Sequence, residues 1–219
     1  MVANGMGNRF GQHWGNLFAQ HAVQKNFTSG QTLDFQGQKS EYFSLVISGR
    51  IEAIVFSENG DEIWIDEYKA GDFIGHLSFL ENTPSQFELV AVSQASVYRL
   101  PRGKLRELMD DNIDLRDNIL ADLVQRLDVL TRGLTEAYAL SAKGRICAEL
   151  LRLSREIGID PNKRIIRPNP VYVDFARRVN STRETVSRTV SDLQKMGILS
   201  RQPGALIVEH PDKLAAAFK

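Results

Sequence analysis

Six side chains between Thr182 and Arg188 are the part of this 219-residue sequence best suited to chemistry. Arg183, Glu184, Ser187 and Arg188 fall on one side of a helix, while Val186, Val190 and Leu193, at i, i+4 and i+7, fall on the other. Arg can donate two hydrogen bonds to guanine O6 and N7, and Glu can accept one from cytosine N4. Thr182 and Thr185 suit phosphate oxygens, which fix register without carrying sequence information. The pattern predicts a helix whose first turns read base edges in the major groove of double-stranded DNA. The competing reading is a solvated face held by a Glu184–Arg188 ion pair at i, i+4.

Charge favours the first reading. Residues 1–140 carry 12 Lys and Arg against 19 Asp and Glu, whereas residues 141–219 carry 15 against 8. An acidic front and a basic back within a neutral chain suggest two modules with different partners. The basic half supplies the phosphate neutralisation that drives sequence-independent binding to DNA. Other chemistries lack their residues. A single cysteine, Cys147, forms neither an intrachain disulfide nor a metal set, and beside Ile146 and Leu150 it reads as a buried, inert thiol. The four histidines, at 13, 21, 76 and 210, offer no closely spaced pair for a metalloenzyme of the cupin kind, so no catalytic residue and no metal is assigned.

The elements that must position the reading helix follow from spacing. Val171–Val179 predicts a first short helix after Asn169-Pro170, and Asn180 suits a left-handed turn residue. Ser181 or Thr182 caps the next helix, with Glu184 as part of a capping box. Leu199-Ser200 and Ala205–Val208, around Pro203-Gly204, predict a hairpin that makes the unit a winged helix-turn-helix. Upstream, Leu120, Leu123, Leu127, Leu130 and Leu134 are spaced 3-4-3-4, a heptad seam long enough for one helix to pair with its copy. The alternative is a helix packed on its own domain. A further helix is expected over 142–157, ended by Gly158 and the residues after it.

From Gly30 to Leu100, short β-rich runs punctuated by glycines, without helices between them, predict an antiparallel β-roll, barrel or sandwich. Asn59-Gly60 predicts a two-residue hairpin turn with both residues at positive φ. Trp14–Phe18 and Val23 suggest a short helix packing on this roll. The expected fold class is therefore α+β: residues 1–110 a β-roll effector domain with a short N-terminal helix, 111–138 a dimerisation helix, and 139–219 a winged helix-turn-helix. No apolar run is long enough to span a membrane and the first residues lack a secretory signal, which predicts a cytoplasmic protein.

The run Ser181 to Arg188, followed by Leu193-Gln194-Lys195-Met196-Gly197-Ile198-Leu199, resembles the recognition helix of the Crp/Fnr transcription regulators. Gly71-Asp72-Phe73-Ile74-Gly75 with Leu77 resembles their cyclic-nucleotide-binding β-roll, and the heptad helix running into Gly144-Arg145-Ile146 resembles their dimerisation helix. The resemblance implies a homodimer on DNA, with RNA polymerase a partner if it activates. It also implies that Arg183 and Arg188 each read a guanine and Glu184 a cytosine, in a TGTGA-like half-site. Ser187 departs from the glycine usual there and matches the Fnr type, whose half-site is TTGAT-like, so the expected half-site is a hybrid with a G·A core.

The sensor end departs further. The family's nucleotide binders use a glutamate after the Phe-Ile-Gly turn for the ribose and an Arg-Ser pair about ten residues on for the cyclic phosphate; this sequence has His76 and then Ser85-Gln86. By the resemblance Arg126 matches a pocket arginine, Thr131 stands in for a serine, and Leu130 replaces the threonine that meets the adenine. A phosphate buried without a cation is costly, so cyclic AMP is not expected to bind. Gly75, His76, Leu77, Ser85, Gln86, Arg126, Leu130 and Thr131 remain the effector-pocket candidates, with the effector unnamed. Haem ligation would fall to His13, His21 or His76, where a hydrogen-bonded structural histidine is the better expectation, and an iron–sulfur cluster lacks its cysteines.

Overall fold

The computed structural model describes residues 7–60, 62–77, 83–157 and 160–217. The chain divides into two compact units, Met1–Val129 and Leu130–Lys219.

The first unit opens with helix α1 (Gly7–His21) and then folds eight strands: β1 (Val23–Phe27), β2 (Thr32–Asp34), β3 (Tyr42–Ser48), β4 (Arg50–Phe56), β5 (Glu62–Lys69), β6 (Phe73–Ile74), β7 (Glu88–Ala91) and β8 (Ala95–Pro101). They form two four-stranded antiparallel sheets, in the orders β1-β8-β3-β6 and β2-β7-β4-β5. Helix α2 (Arg102–Asp111) and the long α3 (Ile113–Ala139) follow. Because successive strand residues face opposite ways, β3, β6 and β8 each feed two cores. Phe73 joins Trp14, Phe18, Phe43, Leu105 and Leu115, the core shared with the helices, whereas Ile74 joins Val46, Ile51, Ala53, Leu89 and Val97 within the roll. Trp14 and Phe18 therefore pack as expected, but Val23 lies on β1 and is exposed.

The hairpin between β4 and β5 is longer than a two-residue turn. Phe56 pairs with Glu62, Gly60 donates to the Ser57 carbonyl at 2.9 Å, and only Gly60 of the Asn59-Gly60 pair has a positive φ. The extra residues relieve Asn59 of the left-handed conformation that a tight turn demands.

The second unit contains α4 (Ala142–Leu153), β9 (Arg155–Ile157), β10 (Asp160–Ile166), α5 (Tyr172–Arg178), α6 (Arg183–Lys195), β11 (Leu199–Gln202), β12 (Ala205–Val208) and α7 (Pro211–Ala216). The strands form one antiparallel sheet, β11-β12-β10-β9. Ile146, Cys147, Leu150, Phe175, Val186, Val190, Leu193, Ile198, Leu206 and Leu214 make its core. Helix α4 is shorter than the expected 142–157. Ser154 ends it, its backbone N–H donating to the Leu150 and Leu151 carbonyls and its hydroxyl to Leu151 O at 2.7 Å. Arg155–Ile157 then pairs with β10, whose backbone groups offer partners that a further helical turn would forgo. The expected stop at Gly158-Ile159 lies outside the described residues.

Candidate DNA interface and sensor cluster

Helix α6 starts at a cap that its own sequence builds. Thr182, extended at φ −96°, accepts a hydrogen bond from the Thr185 N–H at 3.2 Å, and the two hydroxyls are 3.0 Å apart. Glu184 is the second helical residue, one short of the capping-box position, so it faces outward rather than back onto the cap. Thr182→Ala is expected to lower the unfolding free energy by about 1 kcal/mol, with Thr182→Ser restoring it, as read by denaturant titration. Asn180, at φ 47°, makes the left-handed turn that joins α5 to this cap. At the other end Gly197 (φ 69°) donates to Gln194 O and Ile198 to Leu193 O. This paired closure fixes the helix length and returns Ile198 to the core beside Leu193.

Burial then sorts the faces. Val186, Thr189, Val190 and Leu193 are buried, while Arg183, Glu184, Ser187 and Arg188 are exposed. No ion pair links Glu184 to Arg188 among the described residues, so the self-neutralised face considered above does not form. The α6 surface presents two guanidinium forks, a carboxylate and a hydroxyl to the outside. Beside it β11 and β12 form the expected hairpin, with Gln202 opposite Ala205 and Gly204 at φ 70° in the turn. Arg201 on β11 donates to the Tyr172 hydroxyl at 2.6 Å.

In the first unit a second constellation surrounds Arg126. Its Nη1 is 2.8 Å from Asp66 Oδ2, its Nε 3.0 Å from Asp122 Oδ2, and its Nη2 3.8 Å from Asp72 Oδ1. Its guanidinium carbon sits 4.1 Å from the Tyr68 ring centroid. The Arg126 side chain is only 14% exposed. His76 Nε2 stands 3.1 Å from the same Asp122 oxygen, close enough for attraction although the ring N–H is poorly aimed at it. His76 also packs edge-on against Phe43, with centroids 5.3 Å apart. Gly75 sets this approach: at φ 110°, a Cβ there would lie 2.9 Å from the Tyr42 carbonyl oxygen, so only glycine lets β6 leave the sheet so closely.

Burial pushes the Asp66 and Asp72 carboxyls above the usual carboxylate range, and the neighbouring Arg126 offsets this only in part. Burial also opposes ionisation of Asp122, but His76 and Arg126 outweigh it and hold that carboxyl low. Three carboxylates thus answer one guanidinium. Such a site attracts cations and protons and repels anions.

The sequence candidates divide accordingly. His76 and Arg126 come together through Asp122, while Gly75 lies against Tyr42 and Phe43. Ser85 is spent locally, its hydroxyl donating to Phe87 O at 2.6 Å and its backbone paired with Gly37 and Gln38. Leu77, Gln86, Leu130 and Thr131 are exposed. Sequence reasoning missed Asp66, Tyr68, Asp72 and Asp122. One signal was available: Asp122 lies four residues before Arg126 on the same helix. Along α3, Leu120, Leu127, Leu130 and Leu134 are exposed, whereas Leu123 is half-buried in its own unit. Val124, 64% exposed, and Tyr138, 86% exposed, extend the apolar stripe. Cys147 is buried, and burial pushes its thiol up despite Lys143. No helix among the described residues is long and apolar enough to cross a membrane.

Residues 24–112 match the model of the cyclic nucleotide-binding domain, and residues 144–217 match the Crp-like helix-turn-helix domain. The chain is similar to the cAMP-activated global transcriptional regulator CRP of Escherichia coli, 26% identical over 197 residues covering 87% of this chain and 91% of that protein. It is also similar to the cAMP-activated global transcriptional regulator Vfr of Pseudomonas aeruginosa, 23% identical over 201 residues covering 90% and 94%. In fold it is similar to a mutant of CooA from Carboxydothermus hydrogenoformans, with a TM-score of 0.80 at 17% identity over 93% of this chain and 90% of that one.

Proposed function

Since the chain belongs to the Crp/Fnr family of DNA-binding transcription regulators, as its two matched domains indicate, we propose that it works as a homodimer reading a palindrome through α6. The observation that carries this reading is the outward face of the first turns of α6, where Arg183, Glu184, Ser187 and Arg188 are exposed over a buried Val186, Val190 and Leu193. Arg183 and Arg188 read guanines, Glu184 accepts from a cytosine, and Ser187 bears on a flanking base. Thr182 and Thr185 hold phosphates, and the half-site is a G·A-containing hybrid of the TGTGA-like and TTGAT-like kinds. Two copies pair through the exposed leucines of α3, which sets the half-sites about 34 Å apart, one helical turn. RNA polymerase is a further partner where the protein activates. On this reading residues 1–110 are the effector roll, 111–138 the dimerisation helix and 139–219 the DNA-binding part.

Selection of binding sites from random duplexes tests the assignment. Arg188→Ala or Glu184→Ala is expected to cost about 1–3 kcal/mol at its own base position and to relax preference there alone. An unchanged selected sequence overturns the assignment of that residue.

The roll is proposed to respond to something other than cyclic AMP, although relatives are named as cAMP-activated. The cation at the pocket position, Arg126, is already paired with Asp66 and Asp122, and a cyclic phosphate brought there would face their charge. Calorimetry of the full chain with cyclic AMP and cyclic GMP is expected to show no saturable heat; micromolar binding of either overturns this part.

A further inference from the structure

Arg145 spends its whole side chain on three backbone carbonyls at two joints of the second unit. Its Nη1 donates to Leu140 O at 3.0 Å, its Nε to Val179 O at 2.8 Å and its Nη2 to Asn180 O at 2.8 Å. Leu140 is the residue just past the end of α3, while Val179 caps α5 and Asn180 is the left-handed residue of the turn into α6. Carbonyls at helix ends lack intrahelical partners and carry the negative end of the helix dipole, so a cation is well placed there.

Arg145 is itself held by a short, rigid lead. Ser141 caps α4, accepting from Gly144 N at 3.1 Å, and Arg145 N donates to Ser141 O at 2.9 Å. Gly144 and Ile146, its neighbours on either side, are buried. The guanidinium is planar, always charged, and carries its donors in a fixed fork. It therefore constrains both the separation and the relative direction of the groups it joins, which a lysine ammonium, a single point with rotatable donors, does not.

From these contacts we infer that Arg145 is a positioning residue for DNA reading: it ties the end of α3 to the turn that launches α6, and so sets the aim of Arg183, Glu184 and Arg188. The cap of α6, Thr182, follows Asn180 by two residues, so little chain is left to absorb a change at the turn. The inference rests on α6 being the reading helix. Base contacts need angular accuracy, whereas attraction to the phosphate backbone does not. Loss of Arg145 must then weaken specific binding more than non-specific binding. A residue that only stabilised the fold would leave the affinities of folded molecules, and their ratio, unchanged.

The test uses full-length wild type, R145M and R145K, each checked for folding by circular dichroism and for dimerisation by sedimentation. Affinity for the selected operator duplex and for a scrambled duplex is measured by anisotropy at several salt concentrations. For R145M the operator affinity is expected to fall at least tenfold, with the scrambled duplex and its salt slope unchanged, and R145K is expected to fall in between. A folded R145M whose operator-to-scrambled ratio stays within twofold of wild type overturns the inference. Where R145M does not fold, R145K is judged by the same ratio. A wild-type protein that selects no duplex at all overturns the reading of α6 instead, which separates the two failures.

Discussion

Leu127→Glu together with Leu134→Glu is expected to leave a folded monomer that no longer discriminates its operator. Both leucines are more than half exposed on α3, in line with Leu120, so in the single chain neither contributes to a core. Removing them therefore threatens the fold little, while facing copies would have to bury four carboxylates. A dimer engages two half-sites at once, and losing one returns the protein to binding near the non-specific level, a drop on the order of 10³ or more. Sedimentation and operator titration check this together. A double variant that stays dimeric places the subunit contact elsewhere.

Arg126→Met is the second large effect, expected to cost about 3–5 kcal/mol of stability, because it leaves Asp66 buried without its cation and Asp122 with only His76 beside it. The deficit has a pH signature. Asp66 and Asp72 already sit above their ordinary range, so on their account the folded state holds extra protons and stability falls as pH rises through their folded values. Asp122 sits below its ordinary range and contributes stability at neutral pH that is lost as pH falls through its folded value. Without Arg126 all three move upward, and once protonated they need no cation. The gap between variant and wild type is therefore expected to narrow as pH falls from 7 toward about 4, the ordinary aspartate value. Denaturant titrations at several pH values measure it, and a pH-independent gap contradicts a charge-based role.

What was legible in the sequence had local causes. Helix α6 is bounded by Thr182 and Gly197, each with a chemical reason to start or stop a helix, and its apolar positions repeat at helical spacing. The roll is legible through its turn glycines. The end of α4 was not, because Arg155-Glu156-Ile157 contains no breaker and becomes strand only through pairing with β10. The heptad seam was half legible. Leucine spacing marks an apolar helix but not which leucines face home, and the fold turns Leu123 inward while Val124 and Tyr138 join the outward stripe. The Arg126 cluster was hidden because Asp66 and Asp72 lie more than 50 residues from it in sequence and meet it only once β5 and α3 pack.

The burial of Cys147 also has a practical side. Its thiol lies in the core of the second unit with its ionisation suppressed, and the sequence contains no other. In the folded state maleimide dyes meet no competing exposed thiol, so a cysteine introduced on the wing or along α3 would carry a fluorophore or spin label without background. Distances between two labelled copies, taken with and without duplex, would then test the proposed pairing of copies and whether α6 changes place when duplex is added.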